Sequence, residues 1–171
     1  MKTIFIGHTG FTPLGDLWVA FSENGLVAVE FPVSQEEFSA SLQKRHAVRI
    51  EHNPDEVDEA VNQLQEYAGG VRKEFNLPVD WSIVREFQRQ VLQATFSIPY
   101  GEIRSYKDIA VSIGKPRSAR AVGRAEATNP MPVVLPCHRV LGSDGKLHGY
   151  GAGNGLETKT WLLRLEGIVI A

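Results

Sequence analysis

The chain has 171 residues, of which 43% are hydrophobic and 22% charged, with a formal net charge of −2 and one cysteine. This composition is typical of one or two small folded domains and excludes a disordered or fibrous protein. A single cysteine excludes an intramolecular disulfide and a multi-cysteine zinc site, and no apolar run reaches the roughly 20 residues of a membrane span. The first residues lack the apolar core of a signal peptide, so we expect a cytoplasmic protein.

The charge is divided unevenly along the chain. Residues 1–80 carry six basic and 13 acidic side chains, whereas residues 81–171 carry 12 basic and seven acidic ones. Residues 104–124 alone have a net charge of +5, with Asp108 as their one acidic side chain. Opposite signs predict two modules, one of which faces a polyanion, although a solvated basic helix face would give the same pattern.

The acidic half predicts a small α/β domain over residues 1–79. In chain order we expect strands at 17–21 and 26–31 around an Asn24-Gly25 turn, a helix from Ser34 to about His46, a helix from Pro54 to Gly69, a strand at 71–75 and a linker at 77–80. His8, His46 and His52 are scattered without the spacing of metal ligands. We therefore expect this half to be a scaffold.

The basic half predicts a mainly helical domain over residues 80–171. In chain order we expect a helix at 82–96, a turn at 98–101, a short helix at 106–113 after the N-cap Ser105, and a second short helix at 118–127. Two short basic helices joined at Gly114 have the outline of a helix-turn-helix motif, although many such pairs only pack together. Arg120 and Arg124 lie on neighbouring turns among small residues, which favours close approach of this helix to a narrow partner.

The segment 128–140 contains three prolines and the string Cys137-His138-Arg139. The prolines predict a stiff segment, and its apolar residues predict a short strand that ends at Cys137. Cationic neighbours favour the thiolate, which is the nucleophilic form of cysteine, and His138 could serve as its base. Adjacent side chains on a strand point apart, so such a contact needs a bridging water or a turn. A lone cysteine is more often a small buried hydrophobic residue, and the string by itself leaves both interpretations open.

Residues 136–140, Pro-Cys-His-Arg-Val, preceded by Asn129-Pro130, resemble the active-site signature of the O6-alkylguanine-DNA alkyltransferases (methylated-DNA–protein-cysteine methyltransferases). Matching strings run along most of the chain, closely in the second half and loosely in the first: 13–15, 87–91, 98–102, 105–106, 119–123, 149–150, 161–163 and 166–167. The resemblance implies an α/β chain with a small ribonuclease H-like N-terminal domain. It also implies a mainly α-helical C-terminal domain with a winged-helix-like helix-turn-helix.

The implied activity is direct-reversal DNA repair in a single turnover. The alkyl group of O6-alkylguanine passes irreversibly to Cys137 after the base has flipped out of the duplex. His138 would deprotonate Cys137 through a water, Glu166 would orient the imidazole, and Tyr106 would support proton transfer to the leaving guanine. The resemblance further implies a base pocket formed by Asn129, Val140, Tyr150 and Gly151. It implies Arg120 as the finger that enters the duplex, with further DNA contacts from Gln88, Ser105, Lys107, Lys115, Gly123, Arg124 and Ser143.

The implied partner is double-stranded DNA with alkylated bases, which a monomer binds from the minor groove. Phosphate contacts predict salt-dependent binding that is largely independent of sequence. No metal, cofactor or membrane is implied, because the lesion supplies the alkyl group. Cooperative binding and repair of O4-alkylthymine stay open. The glycine-rich residues 151–155 depart from the family pattern, so the preferred alkyl size stays open too.

Three other functions compete with this interpretation. A non-catalytic lesion binder would flip the base but lack the nucleophile, and Cys137 argues against it. A helix-turn-helix transcription regulator would need a dimerisation segment, which is not evident in the sequence. A cysteine hydrolase would need an oxyanion hole and water as the final acceptor.

Overall fold

The computed structural model describes residues 1–170, and the chain divides into two compact units, Met1–Ile83 and a second unit that begins at Val84. The sequence places this boundary after residue 79. The segment expected to be a linker is hydrogen-bonded within the first unit, since Leu26 N donates to Pro78 O at 2.8 Å and Asp80 N donates to Leu26 O at 3.0 Å. None of the helices in residues 1–170 has the length and apolar character needed to cross a membrane.

The first unit is a four-stranded mixed sheet with two helices. Its elements are β1 (Lys2–His8), β2 (Trp18–Ser22), β3 (Gly25–Glu30), α1 (Gln35–Arg45), β4 (Val48–His52) and α2 (Pro54–Ala68). The strand order is β3-β2-β1-β4, in which β1 runs antiparallel to β2 and parallel to β4. Ile4, Ile6 and Trp18 from the sheet pack with Phe38 and Leu42 of α1 in the apolar core.

Local signals placed most of these elements correctly. The hairpin and both helices are confirmed, and Ser34 Oγ accepts a hydrogen bond from Glu37 N at 3.1 Å, as an N-cap does. The turn differs in detail: Ser22 pairs with Gly25, so Glu23 and Asn24 form the turn and the positive φ of 134° belongs to Gly25.

The strand predicted at 71–75 is wrong. Val71 N and Arg72 N both donate to Glu66 O, so this segment wraps around the end of α2 and its first N–H groups are already satisfied. The remaining places in the sheet belong to β1 and β4, which the sequence patterns did not predict. Pairing of these two parallel strands joins residues far apart in the chain, and no local signal reports it.

The second unit packs four helices beside a very short parallel strand pair. Its elements are α3 (Glu86–Phe96), β5 (Arg104–Ser105), α4 (Tyr106–Ser112), α5 (Ala119–Ala127), β6 (Val140–Leu141) and α6 (Leu156–Leu165). Val91, Ile109, Val122 and Val140 share its core. Ser105 caps α4 as predicted, in a complete capping box with Asp108. The helix-turn-helix pair α4–α5 and the overall fold class are thereby confirmed.

Two elements of this unit differ from expectation. The helix predicted from residue 82 begins at Glu86, after a separate 3₁₀ turn at Trp81–Ile83. The strand expected to deliver Cys137 is absent: residues 132–134 form a turn, and Cys137–Arg139 form a 3₁₀ turn. Prolines lack the N–H that a strand ladder needs, which explains why the segment turns.

Candidate active site

Cys137 lies in the wall of a cavity within the second unit. The cavity has a volume of about 870 Å³ and takes its walls from α4, α5, the 3₁₀ turn and the 142–150 loop. Cys137 is only 5% exposed, and its backbone N–H donates to Leu135 O at 2.8 Å. The chain reaches this turn through Val133, whose φ of 75° is strained for a β-branched residue.

His138, the next residue, is fully buried and bound to Glu166. Its Nε2 lies 2.6 Å from Glu166 Oε2. Arg139 Nε donates to the other carboxylate oxygen at 2.8 Å, Arg139 Nη1 donates to Ile98 O at 2.7 Å, and Gly101 N donates to Glu166 Oε1 at 3.1 Å. Glu166 therefore joins the 3₁₀ turn to the end of α6 through a charge-assisted network.

This network determines which ring nitrogen of His138 is basic. A carboxylate held by Arg139 is an acceptor, so the proton between the two side chains sits on Nε2 of the imidazole, and Nδ1 carries the lone pair. Burial lowers the pKa of His138, and the Glu166 carboxylate opposes that effect. His138 is accordingly a neutral imidazole whose basic atom is Nδ1.

The surroundings of the Cys137 thiol oppose its ionisation, contrary to the sequence-based expectation of a favoured thiolate. Burial raises the pKa of Cys137 to about 12, and the nearby Glu126 adds to the effect, whereas a hydrogen bond from the Asn129 side chain and the charge of Lys159 oppose it. The two neighbours that were expected to favour the thiolate do not supply a free positive charge. His138 is neutral, and Arg139 is paired with Glu166.

The four expected base-pocket residues occupy different places. Tyr150 lines the cavity. Asn129 stands behind the nucleophile, where its Nδ2 donates to Leu135 O at 2.8 Å and its Oδ1 accepts from Met131 N at 2.9 Å. Val140 O accepts from Lys159 Nζ at 2.8 Å. Gly151 passes so close to α5 that a Cβ there would lie 2.0 Å from Ala127 O, which explains the glycine.

Tyr106 forms another wall of the cavity at the start of α4. Burial raises its pKa, and the neighbouring Glu126 and Cys137 raise it further. Its ring lies 5.9 Å from Lys159 Nζ and meets the His148 ring edge-on at 6.3 Å between centroids. The phenol is thus a neutral hydroxyl donor in the same cavity as the thiol.

The expected DNA-binding residues also separate into groups. Arg120, Gly123, Arg124 and Ser143 line the cavity mouth, and the two arginines are exposed. Lys107 lies in a different concavity, beside Arg104 and Ile98. Three side chains already bind the protein itself: Ser105 caps α4, Lys115 Nζ donates to Gln90 Oε1 at 2.8 Å, and Gln88 Nε2 donates to Ala125 O at 3.1 Å and to Thr128 O at 3.2 Å.

Three buried ionisable residues at the site were missed by sequence reasoning: Glu126, Arg139 as the partner of Glu166, and Lys159. Glu126 had a usable signal, because it stands four residues after Val122 and therefore on the apolar face of α5. Lys159 had none, since only the fold reveals that it is 1% exposed and bonded to Val140 O and Gly149 O. Among residues 1–170 no group of three or more His, Cys, Asp or Glu side chains could hold a metal ion.

Fold and site together define a helix-turn-helix protein with a buried cysteine and a His–Glu pair at one cavity. Residues 86–168 match the family described as 6-O-methylguanine DNA methyltransferase, DNA binding domain, and residues 8–81 match its ribonuclease-like domain. The chain belongs to the 6-O-methylguanine DNA methyltransferase family.

Relatives in this family resemble the chain over nearly its whole length. A methylated-DNA–protein-cysteine methyltransferase of Methanosarcina barkeri is 42% identical over 161 residues, which are 91% of this chain and 92% of the relative. The constitutive enzyme of Bacillus subtilis is also 42% identical, over 94% of each chain. The crystal structure of Mycobacterium tuberculosis OGT in complex with DNA matches with a TM-score of 0.75 and 35% identity, over 96% of this chain and 92% of that one.

Proposed function

We propose that this protein repairs DNA by direct reversal, moving the alkyl group of O6-alkylguanine onto its own Cys137. The observation that carries the proposal is the placement of Cys137 in a cavity wall of the helix-turn-helix unit, next to the buried His138–Glu166 pair. Membership of the 6-O-methylguanine DNA methyltransferase family supports the substrate. The protein is thus a methylated-DNA–protein-cysteine methyltransferase that acts once.

The transfer is a displacement at the alkyl carbon. The bond from Cys137 Sγ to this carbon forms as the bond from carbon to O6 breaks, and the electron pair stays on the base. The thiol proton passes through a water to Nδ1 of His138, whose positive charge Glu166 then stabilises. The Tyr106 hydroxyl supplies a proton to the departing guanine, and the proton taken up by His138 returns through solvent to Tyr106. The products are an S-alkyl cysteine and an unmodified base.

Burial makes base flipping part of this reaction. Because Cys137 is only 5% exposed, it cannot reach an alkyl group inside a stacked duplex, so the nucleotide must enter the cavity. Arg120 at the cavity mouth fills the gap in the duplex, while Ala119 and Gly123 beside it let α5 approach a narrow minor groove. Tyr150 and the backbone of Val140 and Gly151 form the base pocket, and Asn129 holds the Cys137 segment in place.

Positive charge attracts the DNA. Arg120 and Arg124 are exposed, and their guanidinium groups form no hydrogen bond or ion pair with the rest of residues 1–170, so both are available to phosphates. Lys107 and the backbone around Ser105 and Lys115 extend this surface, as does Ser143 on the opposite rim. Binding should weaken steeply with salt and depend little on sequence.

We further propose that the protein works as a monomer in the cytoplasm. The support for the cytoplasm is chemical, because a thiol consumed in repair must stay reduced and the cytosol keeps thiols reduced. Cell fractionation with an antibody to the protein tests the compartment. Repair of O4-alkylthymine is a separate question, which the same transfer assay answers with that base in the duplex.

One experiment tests the central proposal. The protein is incubated with a molar excess of duplex DNA that contains O6-methylguanine, and the intact protein and its peptides are weighed. We expect the mass of one methyl group on the Cys137 peptide, one event per protein molecule and no turnover. Cys137→Ala should bind the same DNA and gain no mass.

The competing functions give different results in this assay. Tight binding to the lesion with an unmodified Cys137 would indicate a lesion binder and overturn the proposal. Continuing turnover with unmodified protein at the end would indicate a hydrolase. Sequence-specific binding that ignores the lesion would indicate a transcription regulator.

A further inference from the structure

Glu126 is a buried carboxyl group in the wall of the same cavity as Cys137, and the reaction described above does not use it. It lies on the inner face of α5 and is 5% exposed. The basic surface of the helix-turn-helix therefore has one acid turned inward, towards the nucleophile. A buried, ionised carboxylate without a cationic partner is costly, so its state needs an explanation.

The hydrogen bonds around Thr95 bear on that state. Thr95 Oγ1 donates to Val91 O at 2.9 Å, which is the usual bond of a helical threonine. The same Oγ1 is also hydrogen-bonded to Oε1 of Glu126. A hydroxyl has one proton, so Thr95 donates to only one of these two oxygens at a time, and a proton on Oε1 of Glu126 satisfies both bonds at once.

The second oxygen of the carboxyl group, Oε2, is then a carbonyl acceptor. It is buried and has no hydrogen-bond partner among residues 1–170. The ionisable groups that face Glu126 come from three other elements: Tyr106 of α4, Cys137 of the 3₁₀ turn and Lys159 of α6. From α3 the neighbour is the uncharged Thr95, while Asp144 and His148 line the cavity from its loop and Arg120 and Arg124 from α5.

The electrostatics agree with this hydrogen-bond pattern. Burial raises the pKa of Glu126 to about 8, against the opposing effects of the hydrogen bond that Thr95 would donate to the ionised carboxylate and of the Lys159 charge. Lys159 does not neutralise it by direct contact, because its ammonium group binds Val140 O at 2.8 Å and Gly149 O at 3.1 Å. The negative charge of an ionised Glu126 raises the pKa of the Cys137 thiol. Two anions so close together in a buried site oppose each other's formation.

We propose that Glu126 is a positioning residue of the alkyl-transfer pocket that works in its neutral, protonated form, and that its ionisation suppresses formation of the Cys137 thiolate. This inference rests on the proposed function. The neutral acid keeps the pocket free of a second negative charge and presents Oε2 as an acceptor to the flipped base. The reactive state of the protein therefore has Glu126 protonated while Cys137 is ionised.

A comparison of rates across pH tests this role. Single-turnover methyl transfer from O6-methylguanine duplex DNA is measured from pH 6 to pH 9.5 for the natural protein and for Glu126→Gln. The amide of Gln has nearly the same shape and cannot ionise. We expect the ratio of the Glu126→Gln rate to the natural rate to be constant below pH 8 and to rise about tenfold per pH unit above it. Titration of Tyr106, His138 or Lys159 affects both proteins and cancels in the ratio.

Two controls make the test decisive. Glu157→Gln changes an exposed glutamate on α6, and its rate ratio to the natural protein should stay constant at every pH. A ratio that also stays constant for Glu126→Gln would overturn the role of Glu126. Absence of methyl transfer in the natural protein at all pH values would instead overturn the proposed function itself.

A measurement on the natural protein covers the case in which Glu126→Gln does not fold. Protein labelled with ¹³C at the glutamate carboxyl groups is titrated by NMR. We expect one carboxyl resonance with a midpoint near pH 8, and no upward shift of this midpoint when Cys137 is blocked as S-methyl, because the thiol that is replaced is already uncharged at this pH. Titration of all glutamates below pH 6 would show that Glu126 is ionised at neutral pH and would overturn the proposal.

Discussion

The two units of this molecule treat buried charge in opposite ways. In the first unit, buried Asp80 is stabilised as an anion: Ser22 Oγ donates to it at 2.5 Å, and Ser82 donates to it through both its hydroxyl and its backbone N–H. In the second unit burial dominates, and it raises the pKa values of Glu126 and Cys137. The first unit uses the charge of Asp80 to fix the chain, whereas the second, apart from the Glu166 carboxylate paired with Arg139, holds buried acids uncharged for chemistry. Because such acids are kept ready for a reaction, strongly shifted pKa values are a sign of a functional site.

The largest effect is expected from Glu166, which organises the chemistry of the second unit. Glu166→Gln removes the negative charge that stabilises protonated His138 and pairs with Arg139. We expect methyl transfer to slow by about 10²-fold or more, and the buried unpaired Arg139 to lower the free energy of unfolding by about 3–5 kcal/mol. Single-turnover kinetics and urea denaturation measure the two effects.

The control for that change lies on the surface. Glu102 forms an exposed ion pair with Arg104, with 3.1 Å between Glu102 Oε1 and Arg104 Nη2. Glu102→Gln should alter stability by less than about 1 kcal/mol and leave the transfer rate unchanged. Equal effects of the two substitutions would remove the distinction between a buried organising charge and a surface one.

The pH dependence of stability should separate the two units. The pKa of Glu126 is raised in the folded state from 4.5 to about 8, so its contribution favours folding below pH 4.5 and is lost as pH rises to 8. The loss is on the order of 1 kcal/mol per pH unit in that range. Glu126→Gln should flatten the curve of unfolding free energy against pH between pH 5 and pH 8.

Asp80 should show the opposite sign. Burial opposes its ionisation, but hydrogen bonds from Ser22 and Ser82 lower the pKa of Asp80 below 3.8. Its contribution to folding is therefore present above that pH and is lost as pH falls below it. Asp80→Asn should destabilise the protein at pH 7 and less so at pH 3. A destabilisation that is the same at both pH values would contradict this assignment.

Arg120 tests the surface of the second unit. Because it stands at the mouth of the cavity, Arg120→Ala should slow repair of duplex DNA by about tenfold while repair of a single strand, which needs no flipping, changes less. Arg117→Ala removes the same charge outside the cavity lining. Arg117→Ala should reduce salt-dependent binding without changing the ratio of duplex to single-strand repair, as quench-flow assays on both substrates would show.

The smallest effect is expected in the first unit. Ser34→Ala removes the side-chain acceptor for Glu37 N at the start of α1. The free energy of unfolding should fall by about 1 kcal/mol, with Ser34→Asn restoring most of it. Methyl transfer by the folded protein should not change. A change in the transfer rate would contradict the description of the first unit as a scaffold.

Sequence determined the parts of this protein that depend on neighbours along the chain. The caps at Ser34 and Ser105 join residues three apart, and the proline at Pro54 restricts its own backbone, so each signal was complete in a few residues. The helix-turn-helix and the Cys137-His138 string were visible for the same reason. The resemblance of those strings to a family supplied the rest of the function.

Tertiary structure alone decided the state of the site. The pairing of His138 with Glu166 and the bond from buried Lys159 to Val140 join residues that lie 28 and 19 positions apart. A pKa depends on the solvent and the charges around a group, and these are known only when the fold has brought distant residues together. The sequence therefore identified the nucleophile, but only the fold showed that burial raises the pKa of its thiol and that a second acid shares its cavity.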